Sequence, residues 1–247
     1  MKVNLINYTG FGFEDPARFA ANLLLFTKST RLELTPKLLD DFKSLSEEKR
    51  NEELKYMAST IPSSWEFVDF TFLIEGVTRA FTHQLVRTRV ASFAQQSMRV
   101  TNLEGFNYLT GPSIEQNKLL KDKYDKTMSD IDDAYNVLVT SGAQIEDARG
   151  VLPTNILTNI IMKINMRNFI DMIKKRSGKR TQDEYRNVMD AATIEVVRVY
   201  PWFHMFAKLD LIEVAKTLEE KIMGNHFISK EDKTSMFKLV DQLRSAL

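Results

Sequence analysis

Arg87, Arg89 and Arg99 stand in the stretch FTHQLVRTRVASFAQQSMRV, with Arg79 just ahead of it, and no Asp, Glu or Lys occurs between Gly76 and Leu103. Arginine suits planar, two-pronged recognition of phosphate and carboxylate. Arg87 and Arg89 share a face if the segment is extended. On a helix they diverge by about 200°, which lets one segment address two anions. Gln84 lies about one helical turn before Arg87, and Gln95, Gln96 and Ser97 add amide and hydroxyl groups of the kind that read the edge of a heterocyclic base. A second cluster, INMRNFIDMIKKRSGKRTQDEYR, supplies Asn165, Arg167, Arg176 and Gln182, with Arg149 upstream in EDARGVLP. The chemistry on offer is the binding of phosphorylated heterocycles. The pattern equally allows these arginines to pair with acids elsewhere in the fold, Arg176 to be a charge at a helix end, and Arg149 to be a surface charge.

Other devices are missing from the sequence. His83, His204 and His226 are scattered and there is no cysteine, so neither a metal site nor a disulfide is expected. No P-loop, GxGxxG or GxSxG motif occurs in a fitting context. A net charge of +1 gives no global field for nucleic acid or membrane, so any anion site is local. The start, MKVNLINYTGFGFEDP, lacks the apolar core of a signal peptide, and the longest aliphatic run, AANLLLF, falls far short of the roughly 20 residues of a membrane span. A soluble cytoplasmic protein is expected. With 43% hydrophobic and 27% charged residues, the 247-residue chain can bury a substantial core.

The elements that must position these side chains follow from periodicity. KVNLINY alternates and reads as a strand. DPARFAANLLLFTKS reads as a helix with Asp15 as N-cap and Pro16 at its first position. TPKLLDDFKSL and SEEKRNEELKYMAST read as two more, before a break at Pro62, Ser63 and Ser64. WEFVDFTFLIEGV is expected as a buried strand. The arginine stretch starts as a helix over 78–86 and then changes conformation. Residues 113–148 carry one long helical pattern, interrupted at RGVLPTN. ILTNIIMKI reads as a strand and NMRNFIDMIKKR as a short helix with its basic residues at the end the dipole favours. A long helix from Thr181 to about Leu209 is kinked or ended near Pro201, and the tail beyond it is peripheral. The expectation is one mixed α/β (α+β) domain over residues 1–247, with a central mixed or antiparallel sheet flanked by long helices.

On these residues the chain resembles the flavin-dependent thymidylate synthases. Their signature is Arg-His-Arg, seven residues, then Ser; here it reads Arg87-Thr88-Arg89, seven residues, Ser97. Downstream, Arg149 precedes VLP, and Asn165-x-Arg167 is followed nine residues on by Arg176 and six further by Gln182. IPSSWEFVDFTF is similar to the family's His-x-Ser/Thr-Pro-x-Glu-His segment. The resemblance covers about residues 60 to 205. It implies a homotetramer with active sites formed between subunits, binding FAD, reducing it with NADPH, and moving a methylene from methylenetetrahydrofolate to C5 of dUMP. By position it places Ser63, Arg87, Thr88, Arg89, Gln95, Asn165, Arg167 and Asp171 on the flavin. Gln84, Arg87, Gln95, Gln96, Ser97, Met98, Arg99, Arg149 and Arg176 fall to the nucleotide. Arg176 matches the arginine that stabilises negative charge on the pyrimidine ring, leaving Ser97 to bind nucleotide rather than attack it.

Two departures accompany the resemblance. Thr88 replaces the signature histidine, and IPSSWEF lacks both histidines of the upstream segment. Three readings stay open: a competent synthase using Thr88, an altered chemistry such as hydroxymethylation of a pyrimidine nucleotide, or a non-catalytic nucleotide-binding relative. On the first, the arginines lack local acids because flavin and nucleotide phosphates are their partners. A nucleic-acid-binding module would use the same arginines without a flavin pocket.

Overall fold

The computed structural model describes residues 1–30, 32–176 and 181–207, together with Met223, Lys233, Thr234 and Met236. Apart from those four positions, the tail beyond Ala207, expected to be peripheral, lies outside the described residues, as does His226. Four strands form one sheet in the order β1-β2-β4-β3: β1 (Lys2–Tyr8), β2 (Asp69–Thr78), β3 (Ser92–Gln95) and β4 (Leu157–Asn165). The architecture is thus mixed α/β, as expected. The sheet is antiparallel. Ser92 faces Lys163 and Gln95 faces Ile160 across β3 and β4. Asn4 reaches Glu75, Thr9 N bonds the Asp69 carbonyl, and Arg79 N bonds that of Ile156. Period-two burial fits a half-covered antiparallel strand: in β4, Thr158, Ile160, Met162 and Ile164 are buried while Asn159, Ile161 and Lys163 are exposed.

The chain divides into two compact units, each assembled from several stretches. The first comprises Met1–Ile6, Thr71–Ile164 and Lys179–Ala192. It holds most of the sheet, α4 (Arg79–Leu85), α5 (Pro112–Glu115), α6 (Lys118–Thr140), α7 (Ile145–Ala148) and the start of α9 (Asp183–Val199). Its core includes Phe72, Ile74, Phe81, Tyr135 and Tyr185. The expected single helix over 113–148 is broken into three. Asn117 caps α6, its side chain accepting from Leu120 N, and Gly142 at φ +94° ends that helix in a conformation other residues rarely adopt.

The second unit comprises Asn7–Phe70, Asn165–Gly178 and Thr193–Leu247. Here α1 (Pro16–Lys28) begins as read, with Asp15 accepting from Arg18 N and Pro16 at the first position. It packs on α2 (Pro36–Lys43) and α3 (Glu47–Thr60). α8 (Met166–Arg176) packs on α10 (Phe203–Ala207) and on a 3-10 turn, Pro62–Phe67. That turn corrects the expected strand at WEF. The Trp65 indole N–H donates to the Met57 carbonyl at 3.2 Å, so the extended chain starts only near Val68. The final helical stretch is likewise interrupted around Pro201, between α9 and α10.

Phe169 is fully buried, 5.6 Å from the Phe70 ring centroid and 6.0 Å from that of Phe203. Truncating such a ring removes its transfer energy and leaves a cavity. Phe169→Ala is therefore expected to destabilise the protein by about 3–5 kcal/mol in denaturant unfolding, and a loss below about 1 kcal/mol would contradict this packing.

Candidate functional site

In the first unit the arginine stretch starts from a tightly held corner. Thr78, 3% exposed, is the N-cap of α4, and its hydroxyl accepts from Phe81 N at 3.0 Å. Its backbone N–H and hydroxyl donate to the two carboxylate oxygens of Glu184, at 2.7 and 2.6 Å. Glu184 lies in the first turn of α9, so its charge stands near the starts of two helices, where amide dipoles favour it. Gln182 accepts a hydrogen bond from Gln84 at 2.9 Å, tying α4 to the same segment.

After Leu85 the backbone leaves the helix through a series of turns, Arg87 N to Gln84 O, Thr88 N to Leu85 O and Ala91 N to Thr88 O. Arg87 and Arg89 thus stand in turns, neither in an extended strand nor on a regular helix. Both are exposed, and neither has a carboxylate within ion-pair distance among the described residues. Thr88 between them is half-buried. Two exposed guanidinia two residues apart form a donor set that fits a diphosphate.

β3 then carries the chain to the amide groups. Gln95 donates to Thr82 Oγ1 at 2.8 Å, so part of its side chain is engaged with α4. Gln96 is exposed, as is Ser97, whose hydroxyl accepts from Arg99 N at 3.1 Å; Met98 is half-buried. Arg79 Nη2 donates to the Gln96 carbonyl at 2.6 Å, whereas Arg79 Nε is sealed from solvent with no acceptor. A sealed donor of this kind costs about 1–3 kcal/mol. Burial first, and then the Arg149 guanidinium, push Arg79 below the usual arginine range.

Arg99 and Arg149 meet at Glu146. Its carboxylate pairs with Arg99, and its carbonyl accepts from Arg149 Nε at 3.0 Å. Among the described residues Arg87 and Arg89 meet no acid, whereas Arg99, expected to lack one, is paired with Glu146. No local signal foretells the partner, which lies 47 residues away.

In the second unit Asn165 Oδ1 accepts from Asn168 N at 2.9 Å and so caps the start of α8. Arg167 pairs with Glu66 at 2.5 Å, another acid that sequence reasoning missed, from the turn that also carries exposed Ser63. The two partners are 44% and 48% exposed, so the pair is held weakly and a stronger anion can displace Glu66. Asp171 is exposed and Arg176, the last residue of α8, is half-buried. A cleft of about 540 Å³ in this unit is lined by Arg18, Arg50, Trp202 and His204 among others, and by none of the expected site residues. Among the described residues no His, Cys, Asp and Glu cluster could hold a metal, and no helix is long and apolar enough to cross a membrane.

The Glu184 bonds make a direct test of how the signature helix is held. Glu184→Ala strands two buried Thr78 donors and is expected to cost about 2–3 kcal/mol in unfolding experiments. Glu184→Gln keeps one acceptor and should cost clearly less; equal losses would show that the bonds at Thr78 do not hold the corner.

Comparison with known proteins follows the same residues. Positions 4–202 match the family model described as thymidylate synthase complementing protein. The chain is 33% identical over 219 residues to a flavin-dependent thymidylate synthase of Clostridium tetani, covering 81% of this chain and 84% of that one. It is 36% identical over 170 residues to one of Nitratidesulfovibrio vulgaris, covering 64% and 67% respectively. With one of Pyrococcus furiosus the identity is 38% over 127 residues, half of this chain and 52% of the relative. With the match running from β1 through the signature and both arginine clusters to Trp202, the chain belongs to the family of the thymidylate synthase complementing proteins.

Proposed function

We propose that this protein is a flavin-dependent thymidylate synthase, a methyltransferase that converts dUMP to dTMP with methylenetetrahydrofolate as carbon donor and NADPH as reductant. The observation that carries this reading is the pair of exposed guanidinia of Arg87 and Arg89 directly after α4, which meet no acid among the described residues, in a chain whose family match spans both arginine clusters. Their donor set fits the diphosphate of FAD. FAD, when bound, supplies the electrons that turn a transferred methylene into a methyl group, so the protein needs no nucleophile of its own.

The roles of the side chains follow from their chemistry. Arg87, Thr88 and Arg89 hold the flavin, with Asn165, Arg167, Asp171 and Ser63 as further contacts. Asn165 keeps its Nδ2 for this purpose, because capping α8 uses only Oδ1. Gln84, Gln95, Gln96, Ser97 and Met98 face the pyrimidine nucleotide, while Arg99 and Arg149 attract its phosphate. Arg176 stabilises the negative charge that develops over N3 and O2 of the pyrimidine when C5 becomes nucleophilic; a fixed positive charge favours that form over the neutral ring. Thr88 offers a hydroxyl where the signature has an imidazole, so it orients by hydrogen bonding but does not shuttle protons near neutral pH. The protein works as a homotetramer in the cytoplasm.

The decisive experiment is anaerobic turnover of the yellow holoenzyme with NADPH, dUMP and methylenetetrahydrofolate, with the nucleotide product weighed. The expected product is heavier than dUMP by one CH2, and Arg176→Ala should lower kcat by about 100-fold or more. A hydroxymethylated nucleotide would move the assignment to a changed chemistry at Thr88. Purification without flavin, or bound flavin that turns over no pyrimidine nucleotide, would overturn the reading.

A further inference from the structure

We propose that Arg79 is a phosphate-selecting residue of the nucleotide site: held on the Gln96 carbonyl and unpaired with any described carboxylate, its guanidinium joins Arg149 in a positive field that separates a pyrimidine nucleoside monophosphate from the bare nucleoside. This rests on the pyrimidine-nucleotide reading above and extends it to a residue outside the family signature.

Burial and a neighbouring guanidinium both disfavour a cation at Arg79. It is the first helical residue of α4, the end at which the helix dipole opposes positive charge. Its Nε is sealed without an acceptor, and only Nη2 has a bond, to a neutral carbonyl. Burial and the Arg149 guanidinium both lower its pKa. Of the acids in this neighbourhood, Glu146 gives its carboxylate to Arg99 and its carbonyl to Arg149, and Glu184 gives both carboxylate oxygens to Thr78. A residue kept only to hold the Gln96 carbonyl needs no charge, since a neutral amide would serve. Two neighbouring guanidinia with no ion pair of their own among the described residues call for an anion, and the phosphate of the nucleotide is the one the site supplies.

The placement also says how Arg79 acts. Because Nε is sealed, the residue works through its charge and through the position it gives Gln96. Gln96 N bonds the Asn159 carbonyl at 3.0 Å, so this residue is gripped by β4 on one side and Arg79 on the other. Ser97 follows directly. Arg79 is thus a positioning residue for the stretch that meets the substrate as well as a source of field.

The test uses the FAD-loaded full chain and calorimetric titration with dUMP and with deoxyuridine, for the wild type, Arg79→Gln and Arg79→Lys. Inorganic phosphate serves as competitor. Arg79→Gln keeps a donor for Gln96 but loses the charge, and is expected to weaken dUMP about 30-fold while leaving deoxyuridine within about twofold. Arg79→Lys should recover most of the dUMP affinity, and competition by phosphate should weaken in Arg79→Gln in parallel with dUMP. Arg79→Gln should also melt no lower than wild type, because a sealed donor and an unpaired charge are gone. Equal loss of dUMP and deoxyuridine, unchanged dUMP affinity, or unfolding of both variants would overturn the proposal. Wild-type holoenzyme that binds no pyrimidine monophosphate would instead overturn the reading on which it rests.

Discussion

One carboxylate governs the geometry of the signature. Glu184 binds both donors of Thr78, and Thr78 is where β2 stops and α4 begins. That clamp fixes the start of the helix and so helps to set where Gln84 falls and where the chain unwinds to expose Arg87 and Arg89. Gln182, two residues before Glu184, adds a bond to Gln84 from the same segment. The corner at Thr78, Gln84 and the segment of Gln182 and Glu184 therefore form one hydrogen-bonded assembly, although 106 residues separate Thr78 from Glu184. Gln95 returns from β3 to bond Thr82 on the same helix, closing the assembly from the sheet side.

The arginines divide into two electrostatic classes. Arg87 and Arg89 are exposed and meet no described acid, so water solvates them. Arg99 and Arg167 rest on Glu146 and Glu66 across exposed ion pairs. Such pairs contribute at most about 1 kcal/mol, since water screens them and both side chains lose freedom. A bound phosphate can take their place at little cost. The carboxylates orient these side chains without holding them tightly.

How much of this was legible depended on the range of the signal. The start of α1 was readable from Asp15 and Pro16 because capping is local, the strand β1 from its alternation and β4 from its apolar, β-branched run. The extent of β2 was not, because Trp65 looks like strand material until its indole is seen bonded to the Met57 carbonyl. The break at Asn117 hid within a helical pattern, since a capping side chain and a helix interior differ only by context. For the site, residue types and spacing named the arginines and amides. They could not name Glu66, Glu146 or Glu184, whose partners lie 101, 47 and 106 residues away. Acids at such distances leave no periodic trace.

The interleaved build of the two units also sets an order in time. The first unit draws on Met1–Ile6, Thr71–Ile164 and Lys179–Ala192, so its first strand leaves the ribosome long before its last helix. At typical synthesis rates, on the order of ten seconds separate the emergence of Thr78 from that of Glu184. Through that interval the α4 corner lacks its clamp and the apolar faces of Phe72 and Ile74 wait for partners still being made. A nascent chain of this design is a natural client for a holding chaperone, and its yield in a heterologous host should respond more to translation speed and temperature than to the stability of the finished fold.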